Sequence, residues 1–461
     1  MLRALPAVDK VLLEPSVELI CETIPRARCV RWIRQSIDTL RERLVDGGTG
    51  LSSVSDPSGL LKAVVAEVES KAAAEKLRSF RPVINGTGTL LHTNLGRAPL
   101  AKRAVQAMQQ ASGFTNVEMD LDAGDRSRRG QRLSELVCEL TGAEDAVVVN
   151  NCAGATVLVL QAIAQGRDVI ISRGQLVEIG GGFRLPNVFQ AAGVQLCEVG
   201  TTNRTYVHDY EQATSDTTAA WIRVHRSNFV QKGFVAEPTI TELVRAKRPK
   251  DIAVIDDIGS GWIGAPNSSG IFADEPSVIP SVESGADLCL FSGDKLFGGP
   301  QAGIVVGRRC WIERLRKSPM MRAMRPDKVT LAGLEATVEL HLEGKLGELP
   351  FFQMLECELG ELQDAAEAVK NQLSDTPHLV VSVGACQSTI GGGSMPTVEI
   401  PSVCIEVSVP SSERFAHQLR VGSPSVVGRQ VATGLRIDMR TVLADQRDQL
   451  ANALKAAVAA I

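Results

Sequence analysis

Residues 291–303 read FSGDKLFGGPQAG: an apolar strand end, a small polar turn holding one lysine, and a Gly-Gly-Pro corner. A lone lysine in a turn is ordinarily a solvated surface residue. Lys295 instead sits between the apolar run 288–291 and the Gly-Gly-Pro turn, and burial there would strip water from its amine and make it a nucleophile able to bond a carbonyl carbon. Ser292, three residues earlier, is placed to donate a hydrogen bond to a phosphate held beside that lysine.

Upstream, IAVIDDIGSG (252–261) ends a second strand on an acid pair. A carboxylate at this point would keep the ring nitrogen of pyridoxal phosphate protonated, because unit charges about 4 Å apart at an effective dielectric of about 20 attract by about 4 kcal/mol. The cationic ring is then an electron sink for a carbanion. Asp257, which directly precedes the glycine-rich turn, is expected to serve; Asp256 is expected to cap or pack locally. Read alone, the acid also fits an N-cap for the next helix. A phosphate needs backbone N–H groups at a helix start, and VVVNNCAGATVLVLQAIA (147–164) offers Asn151, Cys152, Ala153 and Gly154 between a strand and an apolar helix. Any strand-to-helix turn of small residues looks similar, so the order of the three segments carries the reading.

The chain has 461 residues, 44% hydrophobic and 22% charged. This excludes a disordered or fibrous protein and gives length for about three domains. Ten cysteines are scattered, with no CxxC pair and no histidine spaced to complete a zinc site, so reduced thiols and no metal centre are expected. The start, MLRALPAVDKVLLEPS, puts Asp9 and Glu14 where a signal peptide needs an apolar core. No apolar run approaches the length of a spanning helix. A cytoplasmic protein off the membrane is expected. Net charge −4 and pI near 6.0 argue against DNA binding and against general nucleic-acid affinity, which comes mostly from Lys and Arg, so an RNA partner must meet a local patch.

Residues 1–80 read as a helical domain. RARCVRWIRQSIDTLRERL (26–44) puts Val30, Ile33, Ile37, Leu40 and Leu44 on one helix face and Arg28, Arg31, Arg34 and Arg41 on another. By itself the arginine stripe is a solvated surface. A loop is expected over 47–59, then a helix to residue 80. Residues 81–330 read as a catalytic domain in which AVVVN (146–150), DVIIS (168–172), AAWIRV (219–224), IAVIDD (252–257), LCLFSG (288–293) and GIVVG (303–307) are strands of a mainly parallel sheet covered by helices. Residues 331–461 read as a smaller α+β domain: one long helical segment around FQMLECELGELQDAAEAVKNQL (352–373), an alternating CIEVSV (404–409) and a final helix.

With INGTGTLLHTNLGRAPL (84–100), VEMDLDAGDRSRRG (117–130), SRGQLVEIGGGFRLPNV (172–188), EVGTTNRT (198–205), VHRSNF (224–229), IGGGSMP (390–396) and SVVGR (425–429), these segments resemble the bacterial selenocysteine synthase family within the fold-type-I pyridoxal phosphate enzymes. The resemblance implies conversion of L-seryl-tRNA(Sec) to L-selenocysteinyl-tRNA(Sec) with selenophosphate, by β-elimination to aminoacrylyl-tRNA followed by selenium addition. It makes Lys295 the residue that bonds pyridoxal 5′-phosphate and Asp294 its catalytic neighbour. It assigns Arg97, Arg322 and Arg325 to the pocket for the selenium donor, with Thr201, Thr202 and Asn228 as further pocket residues. Guanidinium groups suit such an anion, which they bind by paired, charge-assisted hydrogen bonds. The resemblance also turns the Arg28, Arg31, Arg34 and Arg41 stripe into a tRNA contact, and implies a ring-shaped homodecamer with active sites shared between subunits. Two other readings use the same residues: a fold-type-I lyase acting on a free amino acid or amino sugar, and a non-catalytic RNA-binding scaffold that keeps the fold.

Overall fold

The computed structural model describes residues 4–45, 56–246, 249, 251–264, 270–432 and 434–461. Contacts divide the chain into two compact units, residues 1–83 with 423–425, and residues 84–422 with 426–461. The first unit is helical: Val8–Leu12, Pro15–Thr23, Arg26–Val45 and Pro57–Arg78. The expected stripe does bury, with Ile33, Ile37 and Leu40 packed on Leu60, Val64 and Val68, while Val30 and Leu44 are only partly covered. Most of the loop expected over 47–59 lies outside the described residues. Its last part is already helical, because Pro57 suits a first turn and Asp56 caps it by accepting from the Gly59 N–H at 3.2 Å.

The second unit holds the strands β1 (Val83–Gly86), β2 (Asp145–Val149), β3 (Asp168–Ser172), β4 (Glu178–Ile179), β5 (Phe183–Arg184), β6 (Gln195–Val199), β7 (Thr218–Val224), β8 (Ala253–Gly259), β9 (Leu288–Ser292), β10 (Gly303–Gly307), β11 (Val380–Thr389), β12 (Glu399–Ser408), β13 (Ser425–Val431) and β14 (Gly434–Asp438). Seven of them form one sheet in the order β2-β10-β9-β8-β7-β3-β6. Pairing is parallel from β9 through β8, β7 and β3 to β6, and only β10 runs against its neighbours. The mainly parallel α/β sheet expected from the sequence is therefore present. Its central strands are apolar because helices cover both faces; Ala155, Leu158 and Ile163 of the helix Cys152–Ala164 pack on Ile171, Ile222 and Ile255.

Two local expectations change. β6 was not legible as a strand: it lies at the sheet edge, and in QLCEV the exposed Gln195 and Glu198 interrupt the apolar run that marks the covered strands. The long helical segment is also two helices, Pro350–Glu356 and Leu359–Gln372. They break where buried Arg440 takes the carbonyls of Met354, Leu355 and Cys357 with Nη1 at 2.8, 3.1 and 2.9 Å, groups that a continuous helix would have used itself.

The helix Lys328–Leu342 crosses position 330 and buries Leu331, Leu334 and Val338 against Leu133, Val137, Ile304 and Val306. The strands beyond it join β1 in a second sheet, in the order β1-β13-β14-β12-β11. Leu362, Val369, Phe415 and Leu454 of its covering helices pack on Ile405 and Ile437. No helix among the described residues is long and apolar enough to cross a membrane.

Candidate active site

Open α/β sheets bind ligands in the crevice at the carboxyl ends of their parallel strands, and β7, β8 and β9 deliver residues there side by side. Lys295 stands in the turn after β9 and is 7% exposed. The turn is pinned by Leu296 N–H donating to Ser260 O (3.0 Å) and Gly298 N–H donating to Lys295 O (3.0 Å). Ser292, the last residue of β9, is buried beside it.

Asp257 on β8 is buried. It accepts from Thr156 Oγ1 at 3.1 Å and from the Cys152 thiol at 3.9 Å. Burial pushes its carboxyl up to about 6, against the Thr156 hydrogen bond and the positive charge of Lys295, both of which hold it down. Asp256 points to the other face of the strand, where Arg223 Nε and Nη2 each reach it at 2.8 Å and Ser281 Oγ donates at 2.7 Å. The acid pair is thus split by strand alternation into one closed ion pair and one carboxyl facing the lysine side. His225, at the end of β7, ties that strand to the site through its N–H to Asp257 O at 2.8 Å.

At the start of the 13-residue helix Cys152–Ala164, Asn151 Oδ1 accepts from Gly154 N–H at 2.8 Å. Asn151 therefore serves as the cap, and the amides of Cys152 and Ala153 are left at the positive end of the helix. The Cys152 thiol is pushed up by burial and by the Asp257 charge, with Lys295 opposing, which makes it inert. Thr156, one helical turn on, bridges Cys152 O (3.0 Å) and Asp257; sequence reading missed it because a threonine in an apolar helix carries no motif.

The second sheet also reaches the lysine. Gly391, Gly392 and Gly393, between β11 and β12, all have left-handed backbones with φ of 74°, 65° and 78°. A Cβ on Gly393 would lie 3.8 Å from Lys295 Nζ and 3.8 Å from Ser227 Oγ. The matching IGGGSMP segment had carried no role until this contact was visible.

Of the other candidates, Arg97 is at the lysine turn: its Nη1 donates to Asp294 Oδ2 at 2.7 Å. Asn228 Nδ2 donates to Glu178 O at 2.6 Å, and its Oδ1 is buried without a partner among the described residues. Thr201 and Thr202 lie in the exposed loop after β6, where Thr201 Oγ1 accepts from Arg204 N–H (3.1 Å) and Thr202 O accepts from Gln231 Nε2 (3.0 Å). Arg322 and Arg325 line a cavity of about 360 Å³ with Arg128, Arg129 and Arg316, and Lys295 is not part of that lining. In the helical unit Arg28 pairs with Glu75 and Arg41 with Asp38. Arg31 and Arg34 are exposed, with no ion pair among the described residues.

Comparison with known proteins gives the same direction. The family model described as L-seryl-tRNA selenium transferase matches residues 83–443, and the one described as selenocysteine synthase N terminal matches residues 2–41. The L-seryl-tRNA(Sec) selenium transferase of Geobacter sulfurreducens is 41% identical over 98% of this chain and 98% of its own length. That of Aquifex aeolicus is 40% identical over 96% of this chain and 95% of its own. The solved structure of D-glucosaminate-6-phosphate ammonia-lyase shares the fold, with a TM-score of 0.58 at 23% identity over 83% of this chain and 96% of that one. A match of this length and identity, laid over a buried lysine turn that the sequence had already singled out, settles the membership: the chain belongs to the L-seryl-tRNA selenium transferase family.

Proposed function

We propose that this protein converts L-seryl-tRNA(Sec) to L-selenocysteinyl-tRNA(Sec) with selenophosphate as donor, in the cytoplasm, using pyridoxal 5′-phosphate. The observation that carries the reading is buried Lys295, with Gly393 close over its amine and the Asp257 carboxyl on the adjacent strand. The residues present fit the cofactor. Asp257 is a buried carboxyl with, among the described residues, a hydroxyl and a thiol to satisfy it, suited to a ring N–H. The amides of Cys152 and Ala153, with Ser292, suit a phosphate. The left-handed glycine at 393 leaves open the space that a side chain would fill beside Lys295 Nζ.

When bound, the cofactor draws electrons from the α carbon of the seryl group, which permits loss of the α proton and then of the β-hydroxyl. Lys295 takes and returns the proton at the α carbon. Asp257 holds the positive charge on the ring nitrogen. Arg97, beside the lysine, receives the selenium donor. Arg322 and Arg325 share this task through an active site built between subunits, as the homodecamer implied by the resemblance requires; within one chain they face a cavity apart from Lys295. Residues 1–80 bind the tRNA, chiefly through Arg31 and Arg34, which internal ion pairs leave available. Few positioned charges suffice where RNA is read by shape.

A lyase acting on a free amino acid or amino sugar would need neither the helical unit nor full-length likeness to the tRNA-dependent enzymes. Lys295→Ala tests the proposal: the visible absorbance of the holoenzyme and selenium incorporation into seryl-tRNA should both vanish, and wild-type turnover by the variant would refute it.

A further inference from the structure

Arg97 is bound on one side and unsatisfied on the other. Nη1 donates to Asp294 Oδ2 at 2.7 Å, and Asp294 O accepts from Ala98 N–H at 3.3 Å, so the 97–98 backbone and the Arg97 side chain are both anchored on residue 294. Arg97 is also one of three non-glycine residues with left-handed backbone among those described, at φ 63°. A bulky residue holds that conformation only where its surroundings enforce it, and such strain collects at ligand sites. On the other side Nε is buried with no hydrogen-bond partner among the described residues. Buried N–H groups are nearly always paired. Nε and Nη2 share the side edge of the guanidinium, the edge that takes two oxygens of one anion, and Asp294 holds the opposite corner.

We infer that Asp294 is a positioning residue: its carboxylate fixes the guanidinium of Arg97 so that the Nε–Nη2 edge meets a tetrahedral oxyanion next to Lys295. The inference rests on the reading that Arg97 receives the selenium donor, and it gives Asp294 a task distinct from proton donation. The negative charge of Asp294 opposes anion binding, so the carboxylate earns its place by direction and not by attraction. That separates aim from charge experimentally. Asp294→Asn and Asp294→Ala remove the same charge, but only asparagine keeps an oxygen able to accept from Nη1.

The test is steady-state kinetics of the holoenzyme with selenophosphate, and with inorganic phosphate as a competing probe. Retained cofactor absorbance reports an intact pocket. Asp294→Ala should bind phosphate at least about tenfold more weakly than Asp294→Asn, and its KM for selenophosphate should rise in parallel, a range consistent with loss of a charge-assisted hydrogen bond. Asp294→Asn should keep kcat within about tenfold of wild type. Equal phosphate affinity in the two variants overturns the inference. So does a fall of about 100-fold or more in kcat for Asp294→Asn, the mark of a lost proton donor. If Asp294→Ala does not fold, Asp294→Val supplies the same comparison. Arg97→Ala separates the two levels: unchanged KM and phosphate affinity in that variant refute the donor reading itself, whereas raised values with indistinguishable Asp294 variants refute only the positioning role.

Discussion

Asp257→Asn should make the cofactor-free protein more stable and the cofactor-bound protein worse. The buried carboxyl titrates near 6 instead of 3.8, driven chiefly by burial. Its folded state therefore holds the proton more tightly than its unfolded state, and stability is lost as pH rises from about 4 through 6. With those two values, linkage gives a penalty of about 2 kcal/mol at pH 5 and about 3 kcal/mol at pH 7.5. Asparagine is nearly isosteric and carries no charge, so the stability advantage of the variant should widen by about 1 kcal/mol between these pH values. Urea unfolding of both cofactor-free proteins at the two pH values measures this directly. Once cofactor is bound, the cationic ring nitrogen compensates the carboxylate, so the variant should lose cofactor affinity although its bare fold is firmer. A stability difference that stays flat with pH, or a variant that is the less stable at pH 7.5, would refute the placement of an uncompensated acid on β8.

Arg31→Glu combined with Arg34→Glu should weaken tRNA binding and lower the slope of log affinity against log salt by about 2, with cofactor absorbance unchanged; an unaltered slope rules these residues out as phosphate contacts. Arg223→Met leaves buried Asp256 with Ser281 as its remaining side-chain donor and should cost about 3–5 kcal/mol, read as a fall in the urea midpoint. A midpoint equal to wild type would show that this pair is not structural. Gly393→Ala forces a side chain into a left-handed backbone and puts a methyl beside Lys295 Nζ, so cofactor affinity should drop by roughly tenfold, in line with a strain of about 1–2 kcal/mol; a wild-type cofactor titration would show that the loop does not close on the lysine.

The sequence by itself determined the central strands, the lysine turn and the opposite facing of two adjacent acids. Each of these depends on residues close together in the chain: continuous apolar runs mark strands covered on both faces, and alternation along β8 sends neighbouring aspartates to opposite sides. The edge strand β6 was invisible because exposed Gln195 and Glu198 break up its apolar run. What only the tertiary structure decided are contacts between distant segments. The pairing of Arg97 with Asp294, the arrival of Gly393 over Lys295, the Thr156 bond to Asp257 and the separation of Arg322 and Arg325 from the lysine all follow from strand order and from how the two sheets meet. No local period encodes that order, because it is fixed by burying all the apolar faces at once.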